Sequence, residues 1–237
     1  MKRFKKIVTL ILSMILFVLT TLPVSASASQ TYRIVYSAQE ITDISAMREL
    51  ARGQSTFLTL SDENDNFEFI QLLEVREYND GTIQKAYVSS SYTNAYEEST
   101  SGSKDSYSVL FKFYYTVKAD NLSLTTTYTF RPDKLVTTIT KYGTPTLTIS
   151  KLVHEYFVPL ASITASQTHY YTNSSSVGSS QTFTMYSQHN GFYNASYSEF
   201  WSSQTSMLAQ STVYFSDGKY LSLQRLAYLH HAHRSAR

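Results

Sequence analysis

The chain has 237 residues, carries a formal charge of +2, and contains no cysteine. Disulfides, thiol catalysis and Cys-based zinc sites are therefore excluded, and so is lipid attachment through cysteine. With only 16% charged residues and a near-neutral balance, the chain lacks the electrostatic footprint of a nucleic-acid binder.

The N-terminus is the most informative stretch. Lys2, Arg3, Lys5 and Lys6 precede a nearly unbroken apolar run over 7–22, and Ala26-Ser27-Ala28 places small residues where a signal peptidase reads. The run is shorter than the roughly 20 residues a spanning helix needs. We read a secretory signal peptide, residues 1–28, cleaved after Ala28. Its loss takes the charge from +2 to −2. Export without cysteines fits secretion by a Gram-positive bacterium. Residues 29–237 are expected to form one mature domain, long enough to bury a core unaided.

Twenty Tyr, 13 Phe and recurring Ser/Thr clusters favour strands. Residues 32–37 read as a short strand. Ile41, Ile44, Met47 and Leu50 then recur near helical spacing, with Gly53 where a helix would end. From residue 56 the pattern becomes β. Strands are expected at 56–60, 67–78 and 82–92, the last two joined by a two-residue type I′ turn at Asp80-Gly81. Residues 94–106 read as a mobile polar loop. In 107–118, Val109, Phe111, Phe113, Tyr115 and Val117 share one face at period two and should be buried. Strands at 122–131, 135–142 and 146–157 follow, with turns at Pro132-Asp133 and Gly143-Thr144-Pro145. Later strands are expected at 163–172, 181–187 and 212–223, and a disordered tail over 230–237. The fold class is thus all-β with minor α: an antiparallel meander forming a β-sandwich or strongly curved sheet, with one short helix near the mature N-terminus.

No catalytic motif is present. His154-Glu155 lacks the second His of a zinc helix, because residue 158 is Val. The run Asp62-Glu63-Asn64-Asp65-Asn66 opens like a calcium loop but has Phe67 where the turn glycine belongs. Six His and many Ser leave a dispersed Ser-His-Asp triad unspecific. We assign no catalytic residue, metal or cofactor.

Tyrosine and tryptophan combine rigid area with a polar handle, which suits sugar or protein recognition. The aromatic second half therefore supplies the candidate binding residues: Tyr170, Tyr171, Tyr193, Tyr197 and Trp201. The expected function is a secreted, non-enzymatic binding or surface-associated β domain. Candidate partners are cell-wall polysaccharide, a membrane surface or another extracellular protein. The alternative is a secreted membrane-active toxin or bacteriocin-like protein, suggested by Ser/Thr alternation over 122–150; a secreted hydrolase ranks third.

Overall fold

A computed structural model describes residues 31–54, 66–100, 103–120, 127–143, 148–158, 163–170, 180–194 and 205–228. The expected leader 1–28, the strand expected at 56–60, the acidic cluster 62–65 and the expected tail 230–237 lie outside them. The elements are β1 (Tyr32–Ser37), α1 (Ile44–Gly53), β2 (Phe67–Tyr78), β3 (Ile83–Thr100), β4 (Ser103–Asp120) and β5 (Thr127–Tyr142). They continue with β6 (Ile149–Val158), β7 (Ile163–Tyr170), β8 (Ser180–Tyr186), β9 (Tyr193–Asn194), β10 (Thr205–Phe215) and β11 (Tyr220–Tyr228).

All strand pairs are antiparallel, and the described strands form two sheets. The larger runs β1-β2-β3-β4-β5-β8, with β9 also on β5; the smaller runs β11-β10-β6-β7. The fold is all-β with one short helix, a two-sheet sandwich. The main core lies between the sheets. Val109, Phe111, Phe113, Tyr115 and Val117 of β4 face it as expected and meet Leu152 and Tyr156 of β6, Met207 and Val213 of β10, and Leu223 of β11. Each large side chain buried there contributes about 1.5–3 kcal/mol.

A second cluster covers part of the large sheet's back. Asp43 caps α1 by accepting a hydrogen bond from the Ala46 N–H (2.8 Å), and Met47 and Ala51 pack on Phe67, Phe69 and Tyr92. Ahead of the helix, the Glu40 carboxylate accepts hydrogen bonds from Lys112 Nζ (2.5 Å) and Tyr114 Oη (2.8 Å). Burial, then the Glu40 carboxylate, push the Tyr114 phenol upward from its ordinary range.

Five expectations are corrected. Residues 94–100 and 103–106 are strand, not loop: β3 and β4 stay paired from Asn94↔Ser108 to Thr100↔Ser103, because main-chain pairing needs no apolar alternation. Pro132-Asp133 is not a turn either. It is a bulge inside β5 at the Tyr114/Tyr115 register shift, a place where a strand tolerates proline's missing N–H. The strand after it leaves the meander, since β6 starts the second sheet. The segment 212–223 is a hairpin rather than one strand, turning at Asp217-Gly218.

The fifth correction concerns Asp80-Gly81. Gly81 N–H donates to Tyr78 O (3.0 Å) and Tyr78 N–H to Thr82 O (2.9 Å), with Gly81 at φ +81°. That is a three-residue loop, a type I turn closed by a left-handed glycine, not a type I′ turn. The β10–β11 hairpin repeats it: Gly218 donates to Phe215 O (3.1 Å), Phe215 to Lys219 O (2.9 Å), and Gly218 has φ +84°.

Candidate functional site

Tyr170 ends β7 and is 77% exposed. Tyr193 lies in β9, opposite Phe130 of the large sheet, so these two candidates sit on different sheets. Tyr171, Tyr197 and Trp201 lie outside the described residues. Of the five, the two that are described thus lie on different sheets. The structure instead groups Tyr170 with residues that the sequence reading did not select.

That grouping follows from strand periodicity. On the small sheet Leu152, His154, Tyr156, Ser211, Val213 and Leu223 are buried, so their sequence neighbours point outward. Register then aligns the outward residues into rows across the four strands. Tyr220 stands opposite Tyr214, Tyr214 opposite Lys151, and Lys151 opposite Tyr170. The Tyr214 and Tyr220 rings are 5.8 Å apart, and Lys151 Nζ lies 4.7 Å from the Tyr214 ring centre. Tyr220 is 67% exposed.

The next row holds Ser222, Thr212, Val153 and Thr168, and the row beyond it Gln224, Gln210 and Glu155. Shorter side chains next to tyrosines make a trough. Its polar groups are already ordered: Gln224 Nε2 donates to Gln210 Oε1 (2.9 Å), Gln210 Nε2 to Thr212 Oγ1 (3.0 Å), and Thr212 Oγ1 to Ser222 Oγ (3.4 Å). Rigid amides and hydroxyls beside exposed rings can hydrogen-bond a polyol while its C–H faces pack on the aromatic faces. The signal that the strand reading of 212–223 passed over is the Asp217-Gly218 pair, whose turn puts Tyr214 and Tyr220 opposite each other.

The structure also assembles a Ser/Thr/His constellation, but in the core. Thr137 Oγ1 lies 2.7 Å from His154 Nε2 and 2.7 Å from Ser211 Oγ, and all three residues are fully buried. A nucleophilic triad needs an accessible hydroxyl and a group orienting the other ring nitrogen. His154 Nδ1 has no hydrogen-bond partner among the described residues. Burial first, then the nearby His169, lower the His154 pKa to about 4, so the imidazole is neutral. This cluster ties β5 to β6 and β10. Arg225 does similar work between β11 and the large sheet. It is 3% exposed, ion-pairs with Glu68, and donates from Nε to Ser89 Oγ (2.8 Å), joining β11 to β2 and β3.

On the back of the large sheet, Glu74, Arg76, Gln84, Thr116, Arg131 and Asp133 line a pocket of about 170 Å³ floored by Ala86. It is smaller than the ~300–1,000 Å³ of ligand pockets. Its arginines are engaged by carboxylates, Arg76 with Glu74 and Arg131 with Asp133. Among the described residues, no group of three or more His, Asp or Glu side chains is placed to hold a metal ion. No described helix is long and apolar enough to cross a membrane. Comparison of the chain with family models, curated proteins and solved structures finds no match.

Proposed function

We propose that this protein is a secreted, non-enzymatic binding domain whose target is an extracellular polysaccharide, and that the leader is removed after Ala28. The observation that carries this reading is the outer face of the small sheet. A tyrosine row, exposed at Tyr170 and Tyr220 and half-buried at Tyr214, borders a trough whose Ser, Thr and Gln side chains are hydrogen-bonded to one another. Ordered donors and acceptors lose little freedom when they take up a ligand's hydroxyls. The toxin alternative loses its motive, because Phe130, Leu135 and Ile139 of the alternating segment are buried in the inter-sheet core. Their alternation is that of a half-buried sheet and needs no bilayer.

Co-sedimentation with insoluble cell-wall and polysaccharide preparations tests the reading. The protein should pellet with at least one. Tyr214→Ala together with Tyr220→Ala should return it to the supernatant without lowering the melting temperature by more than a few degrees. Protein that stays in solution with every preparation, and blank glycan arrays, would refute polysaccharide binding. Mass spectrometry of the exported protein should find Ser29 at its N-terminus.

A further inference from the structure

The tyrosine row has a direction and a spacing, and both select among polysaccharides. The row crosses all four strands of the small sheet, from Tyr220 on one edge strand to Tyr170 on the other. Neighbouring strands lie ~4.8 Å apart, so the row spans about 14 Å and Tyr170 stands about 10 Å from Tyr214. Every second ring of an extended β-1,4-linked glycan presents the same face at such an interval. Helical α-1,4 and β-1,3 chains turn away before their next equivalent ring.

Lys151 stands in the row between Tyr214 and Tyr170, where the intervening sugar would lie. Its ammonium is held over the Tyr214 ring, which localises the charge. The face thus offers two aromatic stations, a cation that reaches from the strand position between them onto the Tyr214 ring, and a hydrogen-bonding trough alongside.

Building on the polysaccharide reading above, we infer that the face binds an extended β-1,4-linked glycan lying across the strands. Alternate residues of this glycan carry a carboxylate. Rings stack at Tyr214/Tyr220 and at Tyr170, the carboxylate of the residue between them meets Lys151, and equatorial hydroxyls reach Ser222 and Gln210.

Calorimetry with four probes tests this. They are peptide-stripped bacterial wall glycan strands (β-1,4, alternate residues carboxylated), chitotetraose (β-1,4, neutral), maltotetraose (α-1,4) and laminaritetraose (β-1,3). The wall glycan should bind at least about tenfold more tightly than the α-1,4 and β-1,3 probes. Its advantage over chitotetraose should disappear in Lys151→Gln and at high salt, where a charge contact is screened. Tyr170→Ala should weaken tetrasaccharide binding about tenfold and leave chitobiose binding unchanged, since a disaccharide occupies only one station.

Equal binding of the α-1,4 or β-1,3 probe overturns the linkage assignment while leaving polysaccharide binding intact. Unchanged discrimination in Lys151→Gln overturns the carboxylate. An equal loss for disaccharide and tetrasaccharide in Tyr170→Ala overturns the second station. Binding to none of the four, together with no co-sedimentation, overturns this inference and the reading beneath it.

Discussion

At the scale of single residues, His154 couples the core to acidity. Its folded-state pKa of about 4 lies below the ordinary value of 6.5. Between those pH values the unfolded chain binds the proton that the folded chain refuses, so stability falls as pH falls through this window. The loss is on the order of 3 kcal/mol, complete only below about pH 4 and absent above neutrality. Urea midpoints at pH 7 and pH 4.5 should therefore separate widely in the wild type and less in His154→Leu. Identical separations would show that His154 is not the group responsible.

Arg225 carries a different liability. Glu68→Gln removes its ion-pair partner and leaves a buried guanidinium uncompensated, which should cost about 3 kcal/mol. Arg225→Met removes the charge with its stem and should cost less, because an apolar isostere avoids that penalty. Thermal melts of both variants give the order, and the reverse order would contradict the arrangement. A sequence pattern cannot announce such a pair, because Glu68 and Arg225 lie on opposite sheets and meet only after packing.

At the scale of elements, the two Asp-Gly hairpins behave as one device used twice. A Cβ added at Gly81 or Gly218 would meet nothing within 4 Å, so the cost of a side chain there is conformational. Gly81→Val and Gly218→Val should each destabilise by about 1–2 kcal/mol, the cost of a left-handed L-residue. In each turn the aspartate accepts a backbone hydrogen bond, Asp80 Oδ1 from Thr82 N–H (2.9 Å) and Asp217 Oδ1 from Lys219 N–H (3.0 Å). Those bonds are the main reason both carboxyls sit below their ordinary range. Their contribution is present above about pH 4 and is lost as pH falls through the lowered folded-state values. Asp80→Ala and Asp217→Ala should therefore differ from wild type at pH 7 and converge on it in acid; a gap that persists would mean that the carboxylate bond is not what the turn uses.

The same elements show where a one-dimensional reading succeeds. β1, α1, β2 and the buried face of β4 were legible because strong apolar periodicity coincided with local signals, among them Gly53 at the end of α1. The β10–β11 turn was hidden by phase. Val213, Phe215, Leu221 and Leu223 keep one odd-numbered face through the loop, so two strands looked like one. Pro132-Asp133 misled in the opposite sense, since a bulge shifts the apolar phase between Phe130 and Leu135 as a turn would. Of the candidate site only Tyr170 was legible. Tyr214, Lys151 and Tyr220 join it through the registers of three strand pairs, of which only β10–β11 carries a local signal, the Asp217-Gly218 turn.

At the scale of the whole molecule, the two sheets differ in how far along the chain their strands must travel to meet. β2, β3, β4 and β5 are consecutive and adjacent, whereas β10 reaches back past β7, β8 and β9 to lie against β6. Closing that longer connection costs more chain entropy before any contact repays it, and contacts remote in sequence form slowly. The large sheet's meander should therefore fold first, with the β6–β10 seam closing last. Pulsed hydrogen exchange during refolding should protect amides of β3 and β4 ahead of those of β6 and β10, and simultaneous protection would overturn this order. A chain stopped or clipped before β10 keeps Lys151 and Tyr170 but has neither Tyr214 nor Tyr220 to set beside them. Completion of the row from Tyr220 to Tyr170 is thus the last step of folding, and the finished row marks a finished chain.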